Sequence, residues 1–203
     1  MVSSNQRSLI ELESNFGPDN YKPLPVVLSK AQGVWVWDVD NKKYLDMMSA
    51  YSAVSHGHSH PELLKVFHEQ SARLALTSRA FYTDTLGPYL EKITSVSNFD
   101  MALPMNSGAE AVETAIKASR RWAYRSKKIE PNKAEIIVAD GNFHGRTTTI
   151  ISFSSEPNSK DDFGPHTPGF ISVEFGSSKA IEEAINENTA AVLVEPIQGE
   201  GGI

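Results

Sequence analysis

Ser107-Gly108-Ala109 is the stretch of the sequence best suited to binding an anion. Ser107 stands where a helix N-cap belongs and Glu110 follows three residues later, a pattern typical of a capping box. Gly108 has no side chain, so another group can approach the first helical turn closely. The exposed N–H groups and the helix dipole favour an anion there, most naturally a phosphate. A well-capped helix with no ligand is the alternative interpretation.

A long helix is predicted to leave this stretch. Apolar and small residues recur along it at helical spacing: Val112, Ala115, Ile116, Ser119, Trp122 and Ala123. A short apolar run, residues 101–103, leads into it as a candidate strand.

Two further loops with polar and aromatic residues also follow predicted strands. Residues 143–146 come after an apolar run at 135–139, and residues 195–200 come after another at 190–194. Such runs indicate strands buried on both faces of a sheet, and a third strand is predicted at 170–173. Because strands and helices alternate from residue 101, we expect an α/β fold with a parallel sheet. Loops at the carboxyl ends of its strands would form a ligand crevice.

The N-terminal region is predicted to hold smaller elements. A helix is expected at 8–16 and a hairpin at 34–37 and 44–47, followed by helices at 61–76 and 85–96. A polar surface excursion is expected at 154–169, and a helix at 178–186. We expect residues 1–50 to form an arm and hairpin belonging to a small domain, and residues 51–203 to form the first part of a large domain.

Composition excludes several function classes. The 203 residues carry a net charge of -6 without a basic run, which argues against nucleic acid or an anionic membrane as a partner. The absence of cysteine removes disulfides and thiolate chemistry. No apolar stretch is long enough to span a bilayer, and no signal peptide is evident, so a cytoplasmic location is expected. His56, His58 and His60 alternate, but no carboxylate or cysteine completes a ligand set, so no metal is expected.

Six motifs in fixed order carry a resemblance to a known family. They are YSAV (51–54), GHSHP (57–61), SRAFY (78–82), NSGAEA (106–111), NFHGRT (142–147) and EPIQGEGG (195–202). Together they resemble the N-terminal half of class III pyridoxal-phosphate aminotransferases, which have the type I fold of these transferases. Residues 78–82 and 162–170 point to the ornithine branch of the family, whereas His144 is seen in the acetylornithine group.

The resemblance assigns a role to each candidate site residue. It assigns cofactor binding to Ser107, Gly108, Ala109, Phe143, His144 and Glu195, with the Phe143 ring stacked on the pyridine ring. It assigns substrate binding to Tyr51, Tyr82, Arg146 and Glu200. Arg146 suits a carboxylate because its planar fork can bind both oxygens. Each residue also has an ordinary alternative role: Phe143 could cap the core, Arg146 could form a surface salt bridge, and Glu195 could accept hydrogen bonds from neighbouring backbone groups.

The family's reaction needs groups that this sequence does not contain. Its Schiff-base lysine and the acidic partner of the pyridine nitrogen lie beyond the EPIQGEGG motif. The resemblance therefore implies an incomplete portion of a homodimeric enzyme, inactive alone, that transfers the δ-amino group of ornithine to 2-oxoglutarate and gives glutamate semialdehyde and glutamate. An acetylornithine or other ω-amino-acid aminotransferase, and a non-catalytic phosphate- or cofactor-binding module, remain alternatives.

Overall fold

A computed structural model describes residues 2–202. The chain divides into two units between Asp84 and Thr85. The domain boundary predicted after residue 50 concerns the arrangement of a complete enzyme and stays a prediction.

The first unit contains two longer helices and a three-stranded antiparallel sheet. Its elements are α1 (Ser4–Phe16), β1 (Leu28–Gln32), β2 (Trp35–Asp38), β3 (Lys43–Leu45) and α2 (Pro61–Arg73). The predicted hairpin is confirmed, since Trp35 pairs with Leu45 and Trp37 with Lys43. Strand β1, which pairs with β2, was not predicted because its sequence is largely polar and most of its residues are exposed.

A buried carboxylate ties α1 to the hairpin. Asp38 is 1% exposed, and its carboxylate accepts hydrogen bonds from the Tyr44 hydroxyl at 2.7 Å and from the Gln6 amide at 3.3 Å. The N–H groups of Asp40 and Lys42 donate to its other oxygen. Burial alone raises the pKa of Asp38, but these hydrogen bonds outweigh it and hold the pKa below its usual value. The carboxylate therefore stays ionised at neutral pH and fixes the tight turn after β2.

The second unit is the α/β part of the chain. Its main elements are α3 (Leu86–Ser97), α4 (Gly108–Trp122), β4 (Glu135–Ala139), α5 (Pro157–Lys160), β5 (Phe170–Val173), α6 (Ser178–Ala184) and β6 (Thr189–Leu193). The sheet is parallel with the order β5-β4-β6, which confirms the predicted α/β class. Strand β4 is central and its last four residues are buried, as its apolar sequence predicts. No helix within residues 2–202 is long and apolar enough to cross a membrane.

Three expectations for this unit are wrong in detail. Strand β6 is only partly buried, with Val192 41% exposed, because it lies at an edge of the described sheet. Residues 101–103 form no strand, since none of the described strands pairs with them. Trp122, which the helical spacing groups with the buried Ile116, is 53% exposed; the α-helix ends at this residue and continues as a π-helical turn, Ala123–Lys127, in which Ala123 is buried.

The core of this unit lies between β4 and α4. Ile136 and Val138 on the strand pack with Ile116 on the helix and with Ile150 and Phe153. The last two residues belong to a short 3₁₀ helix, Ile150–Phe153. Because this segment follows residues 142–146 closely, the core also anchors the loop after β4.

Candidate functional site

The start of α4 is capped in a way that leaves several N–H groups available. Ser107 is the N-cap, and its hydroxyl oxygen accepts a hydrogen bond from the Glu110 N–H at 3.2 Å. The Glu110 carboxylate accepts from the Asn106 N–H at 2.8 Å, one residue earlier than a capping box requires. Within residues 2–202, the N–H groups of Ser107, Gly108 and Ala109 donate no hydrogen bond. The N-terminus of α4 therefore retains the donors and the dipole that bind anions.

Gly108 and Gly145 differ in what surrounds them. A Cβ atom added at Gly108 would meet nothing within 4 Å, so the first turn of α4 is open. At Gly145, where φ is +118°, an added Cβ would lie 3.1 Å from the Ala109 Cβ and 3.2 Å from the Ile150 Cδ1. The loop after β4 thus packs directly against the first turn of α4. The Thr147 hydroxyl, which donates to the Glu113 carboxylate at 2.6 Å, fixes the same contact one turn further on.

Hydrogen bonds from buried groups hold the loop after β4 in place. The Asn142 side chain is buried and donates to the carbonyls of Ala139 at 2.6 Å and Phe153 at 3.1 Å. From the segment after β6, Glu195 accepts from the Phe143 N–H at 3.0 Å, and the buried Gln198 donates to the Asp140 carbonyl at 2.7 Å. The loop after β4 therefore links the segment after β6 to the start of α4.

Four of the predicted site residues line one cavity of about 330 Å³: Phe143, His144, Arg146 and Glu200. The Arg146 guanidinium carbon lies 5.3 Å from the centre of the Phe143 ring, which is 40% exposed. This cation–π contact orients the guanidinium towards the loop. Ser107, Gly108, Ala109 and Glu195 are not among the residues that line the cavity, but Ala109 and Glu195 contact the loop that does.

His144 is held in its neutral form. Burial lowers its pKa below the usual value, and the nearby negative charge of Glu195 offsets only part of that effect. The Nε2 atom is buried without a hydrogen-bond partner among the described residues, and the ring lies 5.9 Å from that of Phe153. A proton on Nε2 would therefore place an unpaired charge against the core.

This burial predicts a pH dependence of stability. The unfolded chain takes up a proton on His144 near pH 6.5, and the folded chain does so only at lower pH. The contribution of neutral His144 to the stability of the folded chain is therefore complete above about pH 6.5 and is lost as the pH falls towards the pKa of His144 in the folded chain. Thermal unfolding at about pH 7 and pH 5.5 is expected to show a smaller decrease in midpoint for His144→Asn than for the native chain. His166→Asn, at an exposed histidine, is the control and should keep the native decrease; equal decreases in all three proteins would contradict the prediction.

The other two predicted site residues belong to the first unit. Tyr82 is fully exposed, and Tyr51 is 71% exposed. Residues 49–52 all have a positive φ, an unusual run for residues other than glycine. The Asp46 carboxylate accepts from the N–H groups of Met48 and Ser49 at the start of this run.

Two of the three alternating histidines face each other, since the rings of His56 and His60 lie 6.4 Å apart in an edge-to-face arrangement. His58 Nε2 lies 2.7 Å from the Asp46 carboxylate, a contact that lowers the pKa of Asp46 together with the two N–H donors. His60 Nδ1 is buried without a partner among residues 2–202. The described residues contain no group of three metal-ligating side chains.

Sequence reasoning assigned no role to several residues that shape the site. Asn142 and Gln198 lie within recognised motifs, but their hydrogen bonds to backbone carbonyls were not predicted. The cavity is also lined by residues of 154–159, a segment expected to be only a surface excursion. The serines and the single carboxylate of this segment were the sequence features that could have indicated a role in the site.

If a phosphate binds at the start of α4, one substitution there should weaken phosphate binding without lowering the stability of the chain. Gly108→Ala places a methyl group in open space on a helix, so the free energy of unfolding should stay equal or rise slightly. The same methyl group narrows the approach to the N–H groups, so binding of inorganic phosphate to the chain, followed by ³¹P NMR titration, should weaken.

Ser107→Ala is the variant for comparison with Gly108→Ala. It removes the N-cap of α4, so it should lower the free energy of unfolding by about 1 kcal/mol. Unchanged phosphate binding in Gly108→Ala would show that the anion does not bind at this turn.

Comparisons with known proteins agree with these observations. Residues 16–203 match the class-III aminotransferase family. The chain is 55% identical, over 98% of its length, to an ornithine aminotransferase of Brevibacillus brevis, of which it covers 50%. Its structure is similar to that of the ornithine aminotransferase of Toxoplasma gondii, with a TM-score of 0.94 and 40% identity over 97% of this chain and 47% of that one.

An acetylornithine aminotransferase from Elizabethkingia anophelis is similar at a TM-score of 0.83 and 56% identity, over 98% of this chain and 49% of that one. The chain thus spans about half the length of the relatives that it matches.

Proposed function

We propose, from the premise that this chain belongs to the class-III aminotransferase family, that it supplies part of the active site of an ornithine aminotransferase. The complete enzyme would transfer the δ-amino group of ornithine to 2-oxoglutarate and release glutamate semialdehyde and glutamate. The observation that carries the proposal is the packing of Gly145 against Ala109, because it joins the loop that bears Arg146, the proposed ligand of a carboxylate, to the helix start proposed to bind a phosphate. The ornithine aminotransferases among the similar proteins support the choice of donor.

The residues present fit the family's cofactor, pyridoxal 5′-phosphate. Ser107, Gly108 and Ala109 offer unpaired N–H groups, and the space beside Gly108 is open, which suits a phosphate. Phe143 offers a partly exposed aromatic ring to the pyridine ring. The cofactor supplies the electron sink and carries the amino group between the two substrates.

His144 and Glu195 support this arrangement through their contacts with the Phe153 ring and with the backbone of Phe143. The Glu195 carboxylate fixes the backbone of Phe143, and so sets the position of the ring. His144 packs beside Phe153 in its neutral form and adds no charge to the cofactor's surroundings.

Arg146 and Glu200 give the cavity opposite charges. The planar guanidinium of Arg146 suits the carboxylate of either substrate, since it can donate to both oxygens. Glu200 lines the same cavity and offers an acceptor to an ammonium group or to a second arginine from the rest of the enzyme. Tyr51 and Tyr82 are proposed to line the substrate entrance on the strength of the motif resemblance.

The chain by itself is expected to be inactive. None of its lysines lies in the motif that bears the Schiff-base lysine of the family, so we propose that the other half of the enzyme provides it. The homodimer, the cytoplasmic location and the division at residue 50 stay predictions from the sequence.

One alternative donor is favoured by a specific observation. His144 follows the acetylornithine pattern, and the structure from Elizabethkingia anophelis, at 56% identity, is named an acetylornithine aminotransferase. A non-catalytic phosphate- or cofactor-binding module is the alternative from another functional class.

A chimera tests the proposal and separates these alternatives. This chain replaces the half of the Brevibacillus brevis enzyme that it matches, and amino transfer to 2-oxoglutarate is measured with ornithine, N-acetylornithine and 4-aminobutyrate. We expect the highest kcat/KM with ornithine. A higher kcat/KM with N-acetylornithine would favour the acetylornithine alternative, and a folded chimera that binds the cofactor without amino transfer would favour the non-catalytic module.

A further inference from the structure

The cavity that Arg146 lines is also lined by a carboxylate to which no motif assigns a role. Glu156 lines this cavity together with Ser154, Ser155 and Ser159, all from the segment between the 3₁₀ helix and α5. The resemblance to the family gives none of these residues a role.

Glu156 is held firmly in position. Its N–H donates to the Ser154 hydroxyl at 3.1 Å, and its carbonyl accepts from the Ser159 N–H at 3.1 Å. One carboxylate oxygen accepts from the Asn158 N–H at 3.3 Å, as an N-cap of α5. The hydroxyl oxygen of the preceding residue, Ser155, accepts a hydrogen bond from the Gly141 N–H at 2.8 Å, so the segment is fixed to the loop after β4. The carboxylate therefore has a defined place on the wall of the cavity that Arg146 also lines.

One oxygen of Glu156 remains available for a ligand. Among residues 2–202, no hydrogen bond or ion pair is formed by its second carboxylate oxygen. The cavity thus presents one guanidinium, from Arg146, and two carboxylates, from Glu156 and Glu200. Its volume of about 330 Å³ is in the range of small-molecule sites. This charge pattern complements an α-amino acid head group, which carries one carboxylate and one ammonium.

We propose that Glu156 binds the α-ammonium group of the amino donor while Arg146 binds its α-carboxylate, which makes Glu156 a specificity-determining residue. The inference rests on the proposed function, since it concerns the donor of that same reaction. It predicts a preference for donors whose α-nitrogen is charged. Ornithine has such a nitrogen, whereas in N-acetylornithine the same nitrogen is a neutral amide.

The test compares the two donors in the chimera. Glu156→Gln keeps the size of the side chain and an oxygen for the Asn158 N–H, but removes the charge. We expect KM for ornithine to rise tenfold or more, the typical effect of losing a charge-assisted hydrogen bond, with little change in kcat. KM for N-acetylornithine should change less than twofold. Glu182→Gln, at an exposed carboxylate on α6, is the control and should alter neither.

A second variant covers the case in which Glu156→Gln misfolds. Glu156→Asp keeps the charge on a shorter side chain, so it should still raise KM for ornithine by a larger factor than KM for N-acetylornithine. Equal changes for both donors, or no change for ornithine in a folded variant, would overturn the inference while leaving the proposed function intact. An unmutated chimera that transfers no amino group from either donor contradicts the proposed function, and this inference falls with it.

Discussion

Gly145→Ala is expected to lower the free energy of unfolding of the chain by about 2–6 kcal/mol. The backbone at residue 145 has φ +118°, a conformation that residues with a side chain rarely adopt, and this strain costs about 1–3 kcal/mol. The added methyl group also presses on Ala109 and Ile150, and overpacking of this kind costs about 1–3 kcal/mol. Urea unfolding of the native chain and the variant measures the difference.

Two further variants show whether the contact itself is responsible. Ile150→Val removes the Cδ1 atom that the new methyl group would meet at 3.2 Å, so the double variant should lose less stability than the sum of the single variants. Gly108→Ala, which adds a methyl group in open space, should lose none. A loss below about 1 kcal/mol in Gly145→Ala would contradict the close packing between the loop and α4.

Arg146→Gln is expected to raise KM for 2-oxoglutarate in the chimera by about 10- to 100-fold, because a bidentate, charge-assisted contact with a carboxylate is lost. Arg146→Lys keeps the charge but not the planar fork, so it should fall between the native protein and Arg146→Gln. Steady-state kinetics with both substrates varied measures the effect.

Arg121→Gln is the matched control for this substitution. Arg121 is an exposed arginine on α4 that does not line the cavity, so its replacement should leave KM unchanged. A normal KM for both substrates in a folded Arg146→Gln variant would show that another group binds the substrate carboxylate.

Local sequence patterns predicted two strands of the second unit well. Strands β4 and β5 begin and end at the predicted residues, because each is a short, largely apolar run that is followed directly by an acidic residue, Asp140 after β4 and Glu174 after β5. The helix at residue 108 was located by its cap, although the Glu110 carboxylate reaches Asn106 rather than Ser107. Strand β1 and the exposure of β6 were missed, because both depend on which strands lie alongside.

The loops of the candidate site were predicted from their motifs, but the contacts that join them were not. Gln198 and Asp140 are 58 residues apart, and nothing local to either residue indicates that they meet. The packing of Gly145 on Ala109 likewise depends on the crossing of a loop and a helix. Glu156 was overlooked because its segment is polar and reads as surface, whereas the structure places it on the wall of the cavity.

The most direct test of the central claim, that this chain provides the phosphate and carboxylate side of the site but not the lysine, is a titration with pyridoxal 5′-phosphate followed by absorbance. Borohydride reduction and peptide mapping then identify any lysine that has reacted. The account predicts no stoichiometric adduct on the 203-residue chain and, in the chimera, one adduct on a lysine of the Brevibacillus brevis half. A stoichiometric adduct on one defined lysine of this chain would contradict it.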